Sequence, residues 1–489
     1  MNDILFKVND TDGTREVRAR AGQTLLEALR DAGYGLSAPC GGNGTCGQCR
    51  VRTDDGAGGT AEVLACRTFV RDGAEVTLGA DTGVQVLTDA VEIPPEGTGL
   101  GLAVDIGTTT VAAYLYGLST GKCVASRGAM NAQRPYGADV ISRIRHAGTP
   151  EGLEALCRAI RTQIEALARS MCPDLRSIRY ISIAGNTVME HLFAGLNPES
   201  IGVAPFTPLS LFGTEAPASE FFEGFADDCI LYLCPCVAGY VGGDITAGLL
   251  SSGAYLHDGQ VLFIDIGTNG EMALGGKDGF LCCATAAGPA FEGAEIECGS
   301  LAQDGAINAV ETDLSFSVLG EAEPRSICGS GIIDAVAALL CNGILDETGR
   351  MESERYAFGG GAYLSGSDVR KLQLAKAAIR AGIETLLQKS GKDYDGIDEV
   401  LIAGGFGAYM RVKSACAIGM LPPALMGKLR HVGNSAGKGA SMALTAAGRR
   451  ELARLHSLCR YEELSSSALF NDNYIDAMMF DEWEEVYHD

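Results

Sequence analysis

Residues 102–114 read Leu102-Ala103-Val104-Asp105-Ile106-Gly107-Thr108-Thr109-Thr110-Val111-Ala112-Ala113-Tyr114. The frame returns as Val261-Leu262-Phe263-Ile264-Asp265-Ile266-Gly267-Thr268-Asn269-Gly270-Glu271-Met272-Ala273-Leu274. In each copy an apolar strand delivers an aspartate, a small-residue turn reverses the chain, and a second strand leaves. One such hairpin is a weak signal, because Asp-x-Gly-Thr arises by chance at strand ends. Two copies predict two similar halves facing each other across a cleft. Small turn residues let backbone N–H groups and threonine hydroxyls approach phosphate oxygens. The expected phosphate contacts are Gly107, Thr108, Thr109 and Thr110 in the first turn, and Gly267, Thr268 and Asn269 in the second. Asp105 and Asp265 are placed to hold Mg²⁺, usually through water, since Mg²⁺ keeps much of its hydration shell. No G-x-x-x-x-G-K-[ST] stands where a strand meets a helix, so this is not a Walker A loop.

Two more segments follow the same logic. Tyr240 to Leu250 puts Asp244, with Thr246 two residues on, at the entry of an apolar helix, where the acid can assist Mg²⁺ or an attacking water. Val400 to Ala408 is a buried strand running into Gly404, Gly405 and Gly407, a turn that lets backbone lie flat against a base or ribose. Taken alone, Gly404-Gly405 reads as a tight strand–helix connection.

A different chemistry opens the chain. Pro39 to Arg50 carries Cys40, Cys46 and Cys49 at C-x5-C-x2-C spacing, and Cys66 follows. Four thiolates in a compact run plus a distant fourth match the [2Fe–2S] ferredoxin pattern. Gly41, Gly42, Gly44 and Gly47 permit the turns that aim backbone N–H groups at the sulfides. A structural zinc site would show two short pairs, and only Cys46 and Cys49 form one. A disulfide is disfavoured in a chain with no visible export signal.

With 489 residues, 46% of them hydrophobic, the chain suffices for two or three domains with large cores. Its net charge of -24, from 62 acidic and 38 basic residues, argues against a nucleic-acid surface. Met1-Asn2-Asp3-Ile4 leads straight into a strand, and no apolar run reaches membrane-spanning length, so a cytoplasmic chain without membrane contact is expected. The remaining cysteines of the 17, Cys234 and Cys236 among them, read as buried reduced thiols.

Taken in order, residues 3–9 and 14–20 predict a hairpin turning at Asp12-Gly13. Thr24 to Ala32 predicts a helix with a Thr24/Glu27 capping box and a stripe of Leu25, Leu26 and Leu29. Short strands near 48–52 and 74–78 complete a small sheet with the cysteine loop at its rim. Residues 85–101, with Pro94-Pro95-Glu96-Gly97, predict a linker. Helices are expected over 153–171, 375–388 and 436–458, and residues 481–489 as a mobile or partner-contacting tail. His191, His431 and His456 are isolated.

The segments Asp105–Thr110, Asp244–Thr246, Asp265–Thr268 and Gly404–Gly407 resemble, in order, the first phosphate, first connecting, second phosphate and adenosine motifs of the fold shared by actin, sugar kinases and heat-shock chaperone ATPases. A closer resemblance covers nearly the whole chain. A ferredoxin fused to that fold is similar to the reductive activators of corrinoid-dependent enzymes. The segments 184–189 (Ala-Gly-Asn-Thr-Val-Met), 287–294 (Ala-Gly-Pro-Ala-Phe-Glu-Gly-Ala) and 327–334 (Ile-Cys-Gly-Ser-Gly-Ile-Ile-Asp) also resemble that group. Longer members carry linker and middle domains, whereas this chain shows only a short linker. It therefore resembles the compact activators of methyltransferase and O-demethylase systems.

The expected fold is a multidomain α/β and α+β chain: a β-grasp [2Fe–2S] ferredoxin over 1–84, a linker over 85–101, and a two-lobed actin-like (ribonuclease H-like) ATPase over 102–257 and 258–489. The resemblance implies ATP-dependent return of an inactive Co(II) corrinoid protein to Co(I), with the electron drawn from the cluster. It implies a [2Fe–2S] cluster, ATP and Mg²⁺ as cofactors, a corrinoid protein as partner and a low-potential electron donor upstream. A homodimer is left open. An ATP-gated donor to another reluctant acceptor, a redox-sensing nucleotide switch and a small-molecule kinase are the competing functions.

Overall fold

The structure is a computed structural model describing residues 3–10, 13–32, 34, 36, 49–54, 59–78, 88–293, 295–320, 322–405, 407–480 and 483–488. Cys40 and Cys46, the tip of the first turn and the end of the first domain lie outside them.

Strands β1 (Asp3–Asp10) and β2 (Gly13–Arg20) pair antiparallel with Phe6 opposite Val17, so one alternate face, Phe6, Val8, Val17 and Ala19, is buried. The sheet continues with β3 (Arg50–Asp54), β4 (Thr60–Leu64) and β5 (Glu75–Thr77), in the order β2-β1-β5-β3-β4. Strand β4 had no sequence signal, because as an edge strand it buries none of its side chains fully. Helix α1 (Leu25–Asp31) lies across the sheet, with the expected box: Thr24 Oγ1 accepts from Glu27 N at 3.2 Å and Glu27 Oε2 from Thr24 N at 2.7 Å.

Residues 88–99 hold no helix or strand, yet they are strapped down. Ile93 is 4% exposed, its N–H donates to Gly121 O at 2.9 Å, and Tyr116 Oη donates to Val91 O at 2.7 Å. Asp89 pairs with Lys438, and both Glu96 oxygens accept from Ala446 N at 3.0 Å.

The next sheet comprises β6 (Leu100–Ile106), β7 (Thr110–Gly117), β8 (Lys122–Met130), β9 (Ile178–Gly185), β10 (Glu215–Pro217) and β11 (Ile230–Leu233), ordered β10-β11-β9-β6-β7-β8. Strand β6 is apolar up to Asp105 because both faces are covered. Leu102, Val104 and Ile106 face Leu156, Ile160 and Ile164 of α3 (Pro150–Met171), with α2 (Val140–His146) and α4 (Thr187–Ala194) beside it. Ala103 and Tyr114 face Ile245 and Leu249 of α5 (Gly243–Ser252).

The second large sheet repeats the plan. Strands β12 (Val261–Ile266), β13 (Gly270–Gly276) and β14 (Gly279–Thr285) form the hairpin side. Two small sheets follow: β15 (Ala306–Val310), β16 (Phe316–Val318) and β17 (Ser326–Ile327), then β18 (Arg355–Gly359) and β19 (Ala362–Ser365). Strands β20 (Glu399–Ala403), β21 (Leu429–Gly433) and β22 (Cys459–Tyr461) complete the order β21-β20-β12-β13-β14-β22. In both large sheets an antiparallel hairpin is extended on its other side by parallel strands, β9 and β11 in one, β20 and β21 in the other. Helices α6 (Gly329–Cys341), α7 (Gly366–Ser390) and α8 (Val412–Ala417) cover one face.

Helix α7 starts at Gly366, upstream of the expected 375, because a Ser365/Asp368 capping box outweighs its weak glycine start. The stretch 436–458 divides into α9 (Ser435–Met442) and α10 (Ala446–Leu458), since Thr445 caps a new helix. The C-terminal α11 (Ala468–Asp476) and α12 (Trp483–His488) dock on the body. Phe480 is fully buried, with Lys376 Nζ 5.0 Å from its ring centroid; beyond it Val486 is buried and Lys413 Nζ lies 4.6 Å from the Tyr487 ring centroid, so the tail is not a free one over its described residues. Among the described residues no helix is long and apolar enough to cross a membrane.

Helices α5 and α9 cross between the two sheets at van der Waals distance. A Cβ on Gly439 would stand 2.1 Å from Ala247 O. Gly439→Ala is expected to cost about 1–3 kcal/mol in urea unfolding. Gly427→Ala, where a Cβ meets nothing within 4 Å, is expected to stay within about 0.5 kcal/mol of wild type.

Candidate nucleotide cleft and cluster module

Asp105 is the penultimate residue of β6, opposite Ala112 on β7 and Ala184 on β9. Asp265 is the penultimate residue of β12, opposite Glu271 on β13 and Ala403 on β20. The flanking Ile106 and Ile266 are fully buried, so strand alternation turns both aspartates out of the cores. Between the hairpins lies a cleft of about 440 Å³. Asp105, Gly107, Thr108, Thr109, Thr110, Asp244, Asp265, Gly267, Thr268, Asn269, Gly404 and Gly405 all line it.

Two expected residues do not. Thr246 Oγ1 donates to Pro235 O at 2.7 Å and Gly243 O at 3.2 Å, closing the first turn of α5 against its own backbone. Gly407 sits under β20, where a Cβ would stand 2.7 Å from Ile402 Cγ2. Gly404 has a more specific reason to be glycine. Its φ is +91°, and a Cβ there would meet Asp265 Oδ1 at 2.7 Å.

Several lining residues escaped the sequence. Asn434 caps α9, accepting from Gly437 N at 2.7 Å, and its Nδ2 donates to Asp105 Oδ2 at 2.9 Å. Glu292 accepts from Thr109 Oγ1 at 2.6 Å and from Thr268 Oγ1 at 3.1 Å. Glu271 accepts from Asn269 at 3.2 Å and Asn186 at 3.3 Å. The available signals were an Asn before a small-residue helix and a lone acid in Pro289-Ala290-Phe291-Glu292-Gly293.

The carboxylates are crowded. Burial pushes Asp105 up to about 7, opposed by the Asn434 bond and reinforced by Asp265. Burial also raises Asp244 to about 7, with Asp105 adding repulsion, and Asp265 to about 7, with Asp244 and Glu292 adding theirs. Among the described residues no lysine or arginine forms an ion pair with any of the three. An all-oxygen set of unneutralised carboxylates suits a hard divalent cation such as Mg²⁺. Asp105, Asp244 and Asp265 would hold it.

Behind the first turn, fully buried Arg143 donates to Thr108 O at 2.5 Å and Gly137 O at 3.0 Å, and burial lowers it to about 9. Asn131 donates to Gly107 O at 2.8 Å through Nδ2 and to Thr109 O at 2.9 Å through its backbone. The same segment meets the first domain. Arg30 of α1 donates to Pro135 O, and its guanidinium lies 5.1 Å from the Tyr136 ring centroid. In that domain Cys49 is 1% exposed and accepts, at its carbonyl, from Ala65 N at 2.7 Å. Cys66 follows directly, so two of the four expected thiols belong to neighbouring positions at one end of the β3–β4 pair. That placement fits a shared cluster.

Three family models match consecutive stretches: the 2Fe-2S iron-sulfur cluster binding domain over 7–71, the RACo middle region over 100–257, and the C-terminal domain of RACo, the ASKHA domain, over 259–487. The chain is 33% identical over 422 residues to the corrinoid activation enzyme RamQ of Eubacterium limosum, covering 78% of this chain and 70% of that one. The chain belongs to the RACo family. The RACo middle region is thus present here, on the stretch expected to form the first ATPase lobe. A second RACo-like relative, the Co(II) methylated amine-specific corrinoid protein reductase of Methanosarcina barkeri, is 27% identical over 356 residues, 66% of each chain. The solved reductive activator for corrinoid, iron-sulfur protein superposes with a TM-score of 0.71 at 31% identity, covering 99% of both chains.

The raised carboxylates set the pH behaviour of the RACo cleft. Asp105, Asp244 and Asp265 stand near 7 when folded, against about 3.9 unfolded. Between those values the folded state binds more protons, so the empty protein loses stability as pH rises from about 4 to about 7. A cation must displace those protons. Melting curves with and without Mg²⁺ should show stabilisation by the metal growing up to about pH 7 and flattening above it.

Proposed function

We propose that this chain reduces an inactive Co(II) corrinoid protein to Co(I) in a methyltransferase or O-demethylase system, coupling the electron transfer to ATP hydrolysis. The supporting observation is a shared segment. Residues 131–137 hold the first phosphate turn through Asn131 and receive Arg30 of the cluster module at Pro135. A change at the turn is therefore mechanically connected to the domain that carries the electron.

The nucleotide's phosphates would lie between the two hairpins, with Thr108, Thr109 and Thr268 donating and Gly404 and Gly405 admitting the nucleoside. Mg²⁺, when bound, supplies neutralisation of charge developing on the phosphates. Asp105, Asp244 and Asp265 orient it, Asn434 fixes the Asp105 rotamer, and Arg143 holds the Thr108 carbonyl. Cys40, Cys46, Cys49 and Cys66 would hold the cluster, which supplies one electron. An upstream low-potential donor refills it.

Energetically the coupling is reasonable. For one electron, 59 mV is tenfold, so an uphill gap of roughly 200 mV costs about 4–5 kcal/mol. One ATP covers such a gap only if the protein distinguishes the partner's two states by differential affinity.

Substitutions and turnover assays test the two modules and their connection. Cys49→Ala should lose the cluster's visible absorbance and Co(II) reduction while keeping nucleotide binding, and Asp265→Ala should lose ATPase by orders of magnitude while keeping the absorbance. Full ATPase in Asp265→Ala would move the nucleotide elsewhere. A Co(II) corrinoid protein should stimulate ATPase, and its Co(I) form should not. Arg30→Ala should keep both cluster and basal ATPase yet produce less Co(I) per ATP. Equal Co(I) yield without ATP, at matched reductant potential, would remove the coupling.

A further inference from the structure

Glu292 stands out because its two carboxylate oxygens engage the two hairpins separately. Oε2 accepts from Thr109 Oγ1 of the first turn at 2.6 Å, and Oε1 accepts from Thr268 Oγ1 of the second at 3.1 Å. The two threonines belong to different sheets, and the carboxylate spans the cleft between them. It also lies on the cleft wall, half-buried, so that a ligand entering the cleft would meet it.

A threonine hydroxyl carries a single proton and donates to one acceptor at a time. A carboxylate with two charged acceptor oxygens presents these hydroxyls with what two oxygens of a phosphoryl group would present. Glu292 and an incoming phosphate therefore compete for the same two protons. Where Glu292 is ionised, a form that burial disfavours and that the two threonines, Arg134 and Arg143 favour, the two also repel each other. The two cannot share the threonines.

Glu292 ends a short 3-10 turn, Pro289–Glu292, bracketed by Gly288 at φ +76° and Gly293 at φ +72°. Gly293 packs so closely that a Cβ would stand 2.3 Å from Ser300 O, and Ser300 itself lines the cleft. The turn backbone is thus fixed by its packing, and release of Glu292 needs only its side chain to swing.

We propose that Glu292 is a latch: in the empty cleft it ties the two phosphate hairpins together through Thr109 and Thr268, and the phosphate chain of a nucleoside triphosphate displaces it. The proposal rests on the cleft being the Mg·ATP site. Its consequence has an unusual sign. A residue that binds or works on the nucleotide weakens binding or turnover when shortened, whereas shortening a latch strengthens binding.

Glu292→Asp keeps the charge but removes one methylene, so the carboxylate no longer reaches both hydroxyls. Calorimetric titration of the full-length, cluster-loaded protein with Mg·ATP should show this variant binding roughly tenfold tighter than wild type, equivalent to about one net charge-assisted hydrogen bond. The empty variant should melt below wild type, and the two should melt together when saturated with Mg·ATP. Glu292→Gln removes the charge and one acceptor oxygen, and it too should bind Mg·ATP more tightly than wild type; it also serves if the aspartate variant does not fold. Unchanged or weaker binding in both variants, beside normal wild-type binding, overturns the latch. So does a fall in kcat with unchanged affinity, which would make Glu292 a catalytic base. Wild-type protein that binds no Mg·ATP overturns the assignment of the cleft, and the latch with it.

Discussion

Asp105, Asp244 and Asp265 share one half-buried cleft, and among the described residues the chain supplies no ion-paired cation to any of them. Burial and mutual repulsion hold all three near neutrality. Bringing these acids together is unfavourable in the empty protein. It is tolerable because the surrounding frame is rigid: two sheets of the same plan, each covered on both faces, with α5 and α9 crossing between them at Gly439 and Ala247. The neutral-pH carboxylates are thus a property of the fold, and a cation converts the same crowding into affinity.

The lobes are connected by small contacts with specific geometry. Asn434 reaches from the cap of α9 to Asp105, and Glu292 spans Thr109 and Thr268. The segment from Asp89 to Glu96, expected as a spacer, is laid along the β6–β11 sheet and touches α9 and α10 through Lys438 and Ala446. Residues 131–137 add a second link, from Arg30 to the first phosphate turn.

Membership of the RACo family is consistent with this construction. The family's 2Fe-2S, middle and ASKHA regions occur in order, and the names of the two relatives from Eubacterium limosum and Methanosarcina barkeri concern corrinoid proteins. What distinguishes the chemistry expected of this chain is the pairing of an anion-binding cleft with an electron carrier, and the physical linkage between them.

Much of this was legible in the sequence, because local patterns dictate local structure. The Thr24/Glu27 box, the first hairpin and the paired Asp-Ile-Gly-Thr frames each depend on residues within a few positions of one another. The thiol spacing of Cys40, Cys46, Cys49 and Cys66 is likewise a local signature. The apolar runs before Asp105 and Asp265 marked β6 and β12 as strands. Other features depend on contacts distant in sequence. Edge strand β4 buries too little to show alternation. Thr246 turns to its own backbone, and Gly407 to a core isoleucine, because helix and strand packing decide which way each points. Asn434 and Glu292 look like an ordinary helix cap and a stray acid until folding brings them to Asp105, Thr109 and Thr268. The sequence by itself determined which residues could carry the chemistry. Only the tertiary structure decided which of them meet, since hydrogen-bond geometry and burial arise between segments that no local pattern relates.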